Sequence, residues 1–298
     1  AKRTQISFLM RIKCLAFNVD SYHLETFTEE LFEYDPDAKQ IVFQKANFEF
    51  FKAVLKLVYY CIKYRPYSLV IENTYVAAFV GILRKLGFAK KMLYMPGDWL
   101  LNPLFPYFDF LACKWADMVW DVTEEIKSAR IEKWGKDICK REIVAIYRMK
   151  NKFIESKFRE SIAFLGKERE DSGLELVPPF HLIKVPFIER KYFPAWLKDC
   201  CCGVNLLTKG NTYTAYSIPS KVMDYLQYGL PVVITKYCGP ITNIIRKWDL
   251  GKVINPDKKE FFNAVKTIYD DHYYYRENIK RYIKSQKIPT LTEVFNGM

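Results

Sequence analysis

The chain has 298 residues, of which 50% are hydrophobic and 16% aromatic, enough for two ordinary domains and too much apolar content for global disorder. Its 46 Lys and Arg against 34 Asp and Glu leave a net charge of +12, which favours anionic partners (nucleic acid, an anionic membrane surface, phosphorylated small molecules) without choosing among them. Its eight cysteines show no paired metal spacing, and with no secretory signal a reduced cytoplasmic compartment is the expected location.

The opening segment, AKRTQISFLMRIKCLAFNVD, carries no Gly-rich strand-to-helix turn. No apolar run reaches the roughly 18 residues needed to cross a bilayer. The longest candidate, Phe50–Tyr64, is broken by Lys52, Lys56 and Lys63, a pattern that suits an amphipathic helix able to lie on a membrane. A strand at Ser68–Asn73 then leads into a helix at Thr74–Leu86, closed by Gly87. Another strand, Lys90–Met95, is followed by the turn PGDW, a helix at Tyr107–Ala116 and a strand at Met118–Val122. Thr123 reads as the N-cap of a helix ending at Gly135. This βαβαβα pattern predicts a doubly wound parallel domain.

After a strand and basic connector at Glu142–Phe153, the pattern restarts at Ser161–Gly166. Short strands are expected at His181–Phe187, Gly203–Leu207, Pro231–Thr235 and Gly251–Asn255, with helices at Tyr192–Asp199, Ser220–Tyr228 and Lys259–Asp270. The expected division is therefore 1–150 and 151–298, with residues 260–298 as terminal helices. Around Pro178 and Pro179 there is little room for a normal strand–helix pair.

The stretch YSIPSKVMDYLQYGLPVVIT (Tyr216–Thr235) carries the chemistry. A strand end leads through the polar loop TKGNTYTAYSIP into a helix starting at Ser220 and Lys221. Backbone amides at a helix N-terminus carry partial positive charge, so this junction can hold a diphosphate. Asp224, one turn on, projects to the same side. A carboxylate there can accept hydrogen bonds from the two hydroxyls of a ribose, although Asp224 taken alone reads as an ordinary solvated carboxylate.

The same stretch resembles the family 4-type glycosyltransferases of the GT-B fold, whose donor domain carries a P-x-K-x-x-(E/D)-Y-x-x-x-G-x-P-V run. Weaker likeness extends over most of residues 65–285, in segments such as SIAFLGKEREDSGLELV and WLKDCCCGVNLL. The resemblance implies an α/β, GT-B-like fold of two Rossmann-like parallel-sheet domains facing a cleft. It implies transfer of a hexose from a nucleotide-diphosphate sugar, such as UDP- or GDP-hexose, to a glycan or lipid-linked acceptor, with retention and without a metal or other cofactor. Donor-binding residues on this reading are Lys167, Ser217, Ile218, Pro219, Ser220, Lys221 and Asp224. Fixed cations and helix amides would stabilise charge developing on the departing phosphates.

The chain departs from that family in places. Ser172 stands where a lysine is common, Tyr216 replaces the first acid of a spaced pair, and the N-terminal Gly-rich loop and about one strand–helix unit after Val177 are missing. Truncation or internal shortening would account for both gaps, and so a non-catalytic glycosyltransferase-like subunit that binds partners or a membrane surface is the alternative reading.

On the acceptor side, Asp98 in the PGDW turn is the candidate for orienting or deprotonating an acceptor hydroxyl, flanked by Gly97 and Trp99; a simple turn aspartate is the rival explanation. Glu72 and Asn73 end a strand where open α/β sheets place ligands, although Asn73 also suits a helix cap. His23, His181 and His272 are far apart and show no metal spacing. The basic clusters Arg84/Lys85/Lys90/Lys91 and Arg148/Lys150/Lys152 read first as solvated faces. A peripheral contact with an anionic membrane, at its inner face, comes next, and nucleic acid, for which no motif exists, is not an expected partner.

Overall fold

The computed structural model describes residues 14–19, 31–43, 47–96, 104–146, 152–154, 161–168, 170–178, 181–185, 190–211 and 214–298. It divides into two compact units. One comprises Ala1–Tyr147 with Ile288–Met298, the other Arg148–Lys287.

The first unit holds six strands: β1 (Cys14–Val19), β2 (Lys39–Phe43), β3 (Ser68–Ile71), β4 (Lys91–Tyr94), β5 (Met118–Asp121) and β6 (Glu142–Val144). They form a wholly parallel sheet in the order β2-β1-β3-β4-β5-β6. Neither β1 nor β2 stood out in the sequence. Edge strand β2 is only KQIVF and begins with two polar residues, so it lacks the continuous apolar run of a buried parallel strand.

Side chains alternate across this sheet with the period of two that a strand imposes. Leu15, Phe17, Leu69, Ile71, Met92, Tyr94 and Val119 face a layer built from α1 (Asn47–Tyr64), α2 (Thr74–Lys85) and α3 (Phe105–Trp115). Cys14, Ala16, Val70, Leu93, Met118 and Trp120 face the other way. That second face is covered in part by the end of the chain, α10 (Leu291–Gly297), through Leu291, Val294 and Phe295. Thr290 and Glu293 cap α10 reciprocally, and Lys91 Nζ donates to the Phe295 carbonyl at 2.8 Å. The expected division groups residues 288–298 with the second domain, as terminal helices that in the resembled fold commonly cross back towards the first; here they belong to the first unit, where their apolar side chains join its core.

A buried polar cluster ties the first unit together. Arg130, on α4 (Glu124–Trp134), is fully buried and bonds Asp109 of α3 through Nε at 2.9 Å and Nη2 at 3.2 Å, and also Asp121 at the end of β5. Glu142 of β6 lies 3.5 Å away. The Tyr94 hydroxyl donates to Asp109 at 2.9 Å and meets Thr74 Oγ1 at 2.7 Å. Two fully buried carboxylates thus share one guanidinium, while the part-exposed Glu142 also meets Lys127 Nζ at 3.5 Å; the excess of buried negative charge is eased when one carboxyl keeps its proton. Burial accordingly pushes the Asp121 carboxyl up to about 7, against the downward pull of Arg130. Thr123 caps α4 as expected, accepting from the Ile126 amide at 3.2 Å.

The second unit is a five-stranded parallel sheet of β7 (Ser161–Leu165), β8 (Leu182–Val185), β9 (Cys200–Asn205), β10 (Val232–Thr235) and β11 (Gly251–Ile254), in the order β11-β10-β9-β7-β8. Among the described residues no α-helix separates β7 from β8. A 3-10 turn, Leu174–Leu176, takes its place, as the cramped sequence around Pro178 anticipates. The remaining helices are α5 (Phe193–Leu197), α6 (Ser220–Gln227), α7 (Ile241–Trp248), α8 (Lys258–Asp270) and α9 (His272–Ser285). The cysteine run packs inside β9, with Cys200, Cys201 and Cys202 all fully buried.

Candidate functional site

In the second unit the chain leaves β7 for β8 on one side and returns as β9 on the other. The crevice above the C-terminal ends of β7 and β9 is therefore the topological switch point, where open parallel sheets place ligands. Pairing between these strands ends at Ala163 and Gly203, which frees backbone groups beyond that point. The buried Tyr225 of α6 takes them up. Its hydroxyl accepts from the Leu165 amide at 2.8 Å and lies 3.1 Å from the Ala163 carbonyl and 3.3 Å from that of Val204. The ring lies against Gly203 so closely that a Cβ there would overlap it. One side chain thus fixes α6 across the point where the strands diverge.

The loop from β9 to α6 is held from two sides. Below it, Thr208 N donates to the Asp171 carbonyl at 3.1 Å. Above it, Gly239 at the end of the β10 loop has φ +70° and sits against the Thr214 and Ser217 carbonyls, with no room for a side chain. The adjacent Cys238 thiol, pushed up by burial, bonds Asn205 through the side-chain amide at 3.2 Å and the carbonyl at 3.1 Å. Thr235 Oγ1 donates to the Leu207 carbonyl at 2.8 Å. The ends of β9 and β10 are therefore locked together beneath the loop.

The sequence-derived donor residues lie on the segments that follow β7 and β9 and in the first turns of α6. Ser217 is buried, and Ile218, Pro219 and Ser220 are half-buried. Pro219 occupies the N-cap of α6 with no side-chain acceptor. The Lys221 ammonium is 4.2 Å from the centre of the Phe164 ring on β7, a cation–π contact that holds it over that strand's end. Lys167 is exposed and follows Gly166, where β7 turns at φ +86°.

Asp224 is only 4% exposed, so it is no solvated surface acid. Gln227 Nε2 donates to its Oδ1 at 3.0 Å. Every residue of α6 from Val222 to Gln227 is buried. A carboxylate kept inside such a helix must be satisfied by hydrogen bonds. Sequence reading missed Tyr225, Gly203, Gly239 and Cys238. Gln227, three residues beyond Asp224, was visible as a neighbour on a helix face, whereas the Tyr225–Gly203 contact joins distant segments and leaves no local trace.

In the first unit, Glu72 and Asn73 follow β3 beside that sheet's own switch point between β1 and β3. The Glu72 amide donates to the Phe17 carbonyl at 3.0 Å. Asn73 is the N-cap of α2, its Oδ1 accepting from the Val76 amide at 3.1 Å, so the cap explanation describes its observed contact. Gly97, Asp98 and Trp99 lie outside the described residues. Of the basic clusters, Arg84 bonds Asp117 and the Trp115 carbonyl, and Lys91 holds Phe295. Arg148 and Lys150 lie outside the described residues. Among those described, no group of three or more His, Cys, Asp or Glu is placed to hold a metal ion, and no helix is long and apolar enough to cross a membrane.

No protein-family model matches the chain, and no curated protein matches it. Solved structures do. The Anabaena protein HepE in complex with UDP aligns with a TM-score of 0.72 at 13% identity, covering 96% of this chain and 100% of that one. Sucrose-phosphate synthase from Thermosynechococcus elongatus aligns with a TM-score of 0.65 at 12% identity over 92% and 94% of the two chains. The apo form of the lipopolysaccharide outer core galactosyltransferase WaaB gives 0.59 at 12% identity over 96% and 100%. With its two parallel α/β sheets, of six and five strands, the chain has the GT-B fold of these glycosyltransferase structures.

Proposed function

We propose that the protein is a glycosyltransferase that binds a nucleoside diphosphate sugar in its second unit and passes the hexose to a glycan or lipid-linked acceptor. One observation carries this reading. At the switch point a braced loop runs into a helix whose N-terminus, Lys221 and buried Asp224 follow each other within five residues. The first-turn amides of α6, with Lys221 and Lys167, would neutralise the diphosphate. Asp224 would accept from the ribose hydroxyls, exchanging or sharing its bond with Gln227.

The chemistry then follows from charge. Breaking the bond between sugar and diphosphate leaves negative charge on the phosphate oxygens, and donors fixed beforehand stabilise it without reorganising. That HepE binds UDP and UDP-glucose supports a uridine nucleotide as the first donor to try. Retention of configuration, expected from the family resemblance, and a role for Asp98 toward the acceptor hydroxyl belong to the same proposal.

The test is turnover. With UDP-hexose and a panel of glycan and lipid-linked acceptors, the protein should release UDP, and product anomers read by NMR should keep the donor's configuration. Asp98→Asn should lower turnover while leaving nucleotide affinity unchanged. Absence of nucleotide release from both UDP- and GDP-hexoses, with every acceptor, would overturn the enzymatic reading.

A further inference from the structure

Helix α1 (Asn47–Tyr64) buries Ala53, Leu57 and Cys61 in the first unit's core. Its outward surface is not polar. Phe51 is 60% exposed, Leu55 53%, Tyr59 54% and Ile62 51%. At about 100° per residue these four fall within an arc of roughly 80°. Lys52, Lys63 and Lys56, all exposed, fall together in the next arc of about 40°. The acidic residue of the helix is Glu49, in its first turn ahead of the three lysines. Its outer surface is thus sorted into an apolar stripe and, alongside it, a row of three cations.

Neighbouring α2 packs on the same face of the sheet and repeats the pattern. It exposes Phe79 and Ile82, and just past its end Leu86 is 67% exposed beside the exposed Lys85. Single exposed apolar residues need no explanation, but several aligned on adjacent helices mark a contact surface.

We infer that the outer face of α1, extended by α2, docks the protein on an anionic lipid bilayer. The helix would lie in the plane of the interface with Phe51, Leu55 and Ile62 below the headgroups, the geometry of monotopic amphipathic helices. The lysine row meets anionic headgroups, its aliphatic stems lying along the apolar boundary. Tyr59 suits the same depth, with a polar tip on an apolar ring. Lys63 lies 5.3 Å from the Tyr59 ring centre and 5.1 Å from that of Tyr64. Charge argues against a second copy of the chain as occupant. A two-fold interface brings each patch onto its twin, and here it would set one lysine row near another. The inference does not rest on the proposed activity.

Flotation of the full chain with phosphatidylcholine vesicles, with and without phosphatidylglycerol, tests it. The protein should float with the anionic vesicles, less so as salt rises, and weakly or not at all with neutral ones. Reversing the lysines (Lys52→Glu, Lys56→Glu, Lys63→Glu) should weaken partitioning by about a hundredfold or more. Leu55→Ser with Ile62→Ser should reduce it while leaving the charge intact. These side chains are exposed, so both variants should keep the wild-type thermal transition, and either one alone suffices for the comparison. Wild-type protein that fails to float with anionic vesicles would overturn the inference, as would folded variants that float equally well. So would a concentration-dependent dimer in sedimentation that Leu55→Ser with Ile62→Ser abolishes, since a second copy would then own the surface.

Discussion

The ring of Tyr225 occupies the space that a side chain at Gly203 would need. Helix α6 approaches β9 this closely only because position 203 lacks a Cβ, and the approach lets the Tyr225 hydroxyl reach the backbone where β7 and β9 part. Gly203→Ala should therefore overpack a site with no slack and cost about 1–3 kcal/mol. Tyr225→Phe should cost a similar amount, roughly 1–3 kcal/mol, by leaving the buried Leu165 amide without its acceptor. Denaturant unfolding measures both. A cost near zero for Tyr225→Phe would mean that the hydroxyl is not what ties α6 to the sheet.

Gly239 gives a way to disturb the loop while leaving Lys221 and Asp224 in place. At φ +70°, with the Thr214 and Ser217 carbonyls against it, Gly239→Ala must push the β10 loop and the 214–217 segment apart. Stability should fall by about 1–3 kcal/mol. Nucleotide affinity, read by calorimetric titration, should fall by tenfold or more, whereas wild-type affinity in a folded Gly239→Ala protein would show that the loop's position is unimportant for binding.

Removing residues 288–298 should undo the first unit rather than trim a tail. The deletion strips Ile288, Leu291, Val294 and Phe295 from one face of the six-stranded sheet. At about 1.5–3 kcal/mol per side chain the loss is comparable with a domain's whole stability. Hydrogen exchange should show β1, β3, β4 and β5 deprotected while the five-stranded sheet keeps its protection. Unchanged protection of the first sheet would contradict the packing described.

The two units should respond to pH with opposite sign. Asp121 has a folded value of about 7, above its ordinary value of 3.8. Its contribution is thus fully present below about 4 and is lost as pH rises to about 7. His272, buried and beside Arg276, is lowered to about 4 from 6.5, so its contribution is present above 6.5 and is lost as pH falls toward 4. Each single proton sets a slope of at most about 1.4 kcal/mol per pH unit. Asp121→Asn should flatten the first unit's profile, and His272→Gln should flatten the second unit's. Hydrogen exchange across this window reads the two separately; identical profiles for wild type and variants would remove both groups as the titrating sites.

Much of the fold was legible because its signals are local. Thr123 declared a helix start, Asn73 suited either a cap or a ligand, Gly87 and Gly135 declared ends, and the apolar runs of β3, β4, β5 and β10 declared buried strands. The loop after β9 and helix α6 were legible as elements for the same reason, being one continuous segment. What escaped was non-local. The Arg130 cluster draws on six elements, and Tyr225 and Gly203 mean nothing until β9 and α6 are brought together. The burial of Asp224 is also invisible locally, since its helix position alone suits a surface acid equally well. Strands β1 and β2 escaped for another reason: β2 is short and polar at its start, and the β1 region shows no turn motif.

On the proposed function, the switch point of the five-stranded sheet binds a nucleoside diphosphate through α6. Calorimetric titration of UDP into the wild-type protein and into Asp224→Ala tests it most directly, with GDP and ADP as comparisons. One nucleotide should bind the wild type saturably, with a loss of tenfold or more in the variant, corresponding to the roughly 1.5–3 kcal/mol of a hydrogen bond to a charged group. Binding of equal strength to a folded Asp224→Ala protein, or no binding of any of the three to the wild type, would contradict it.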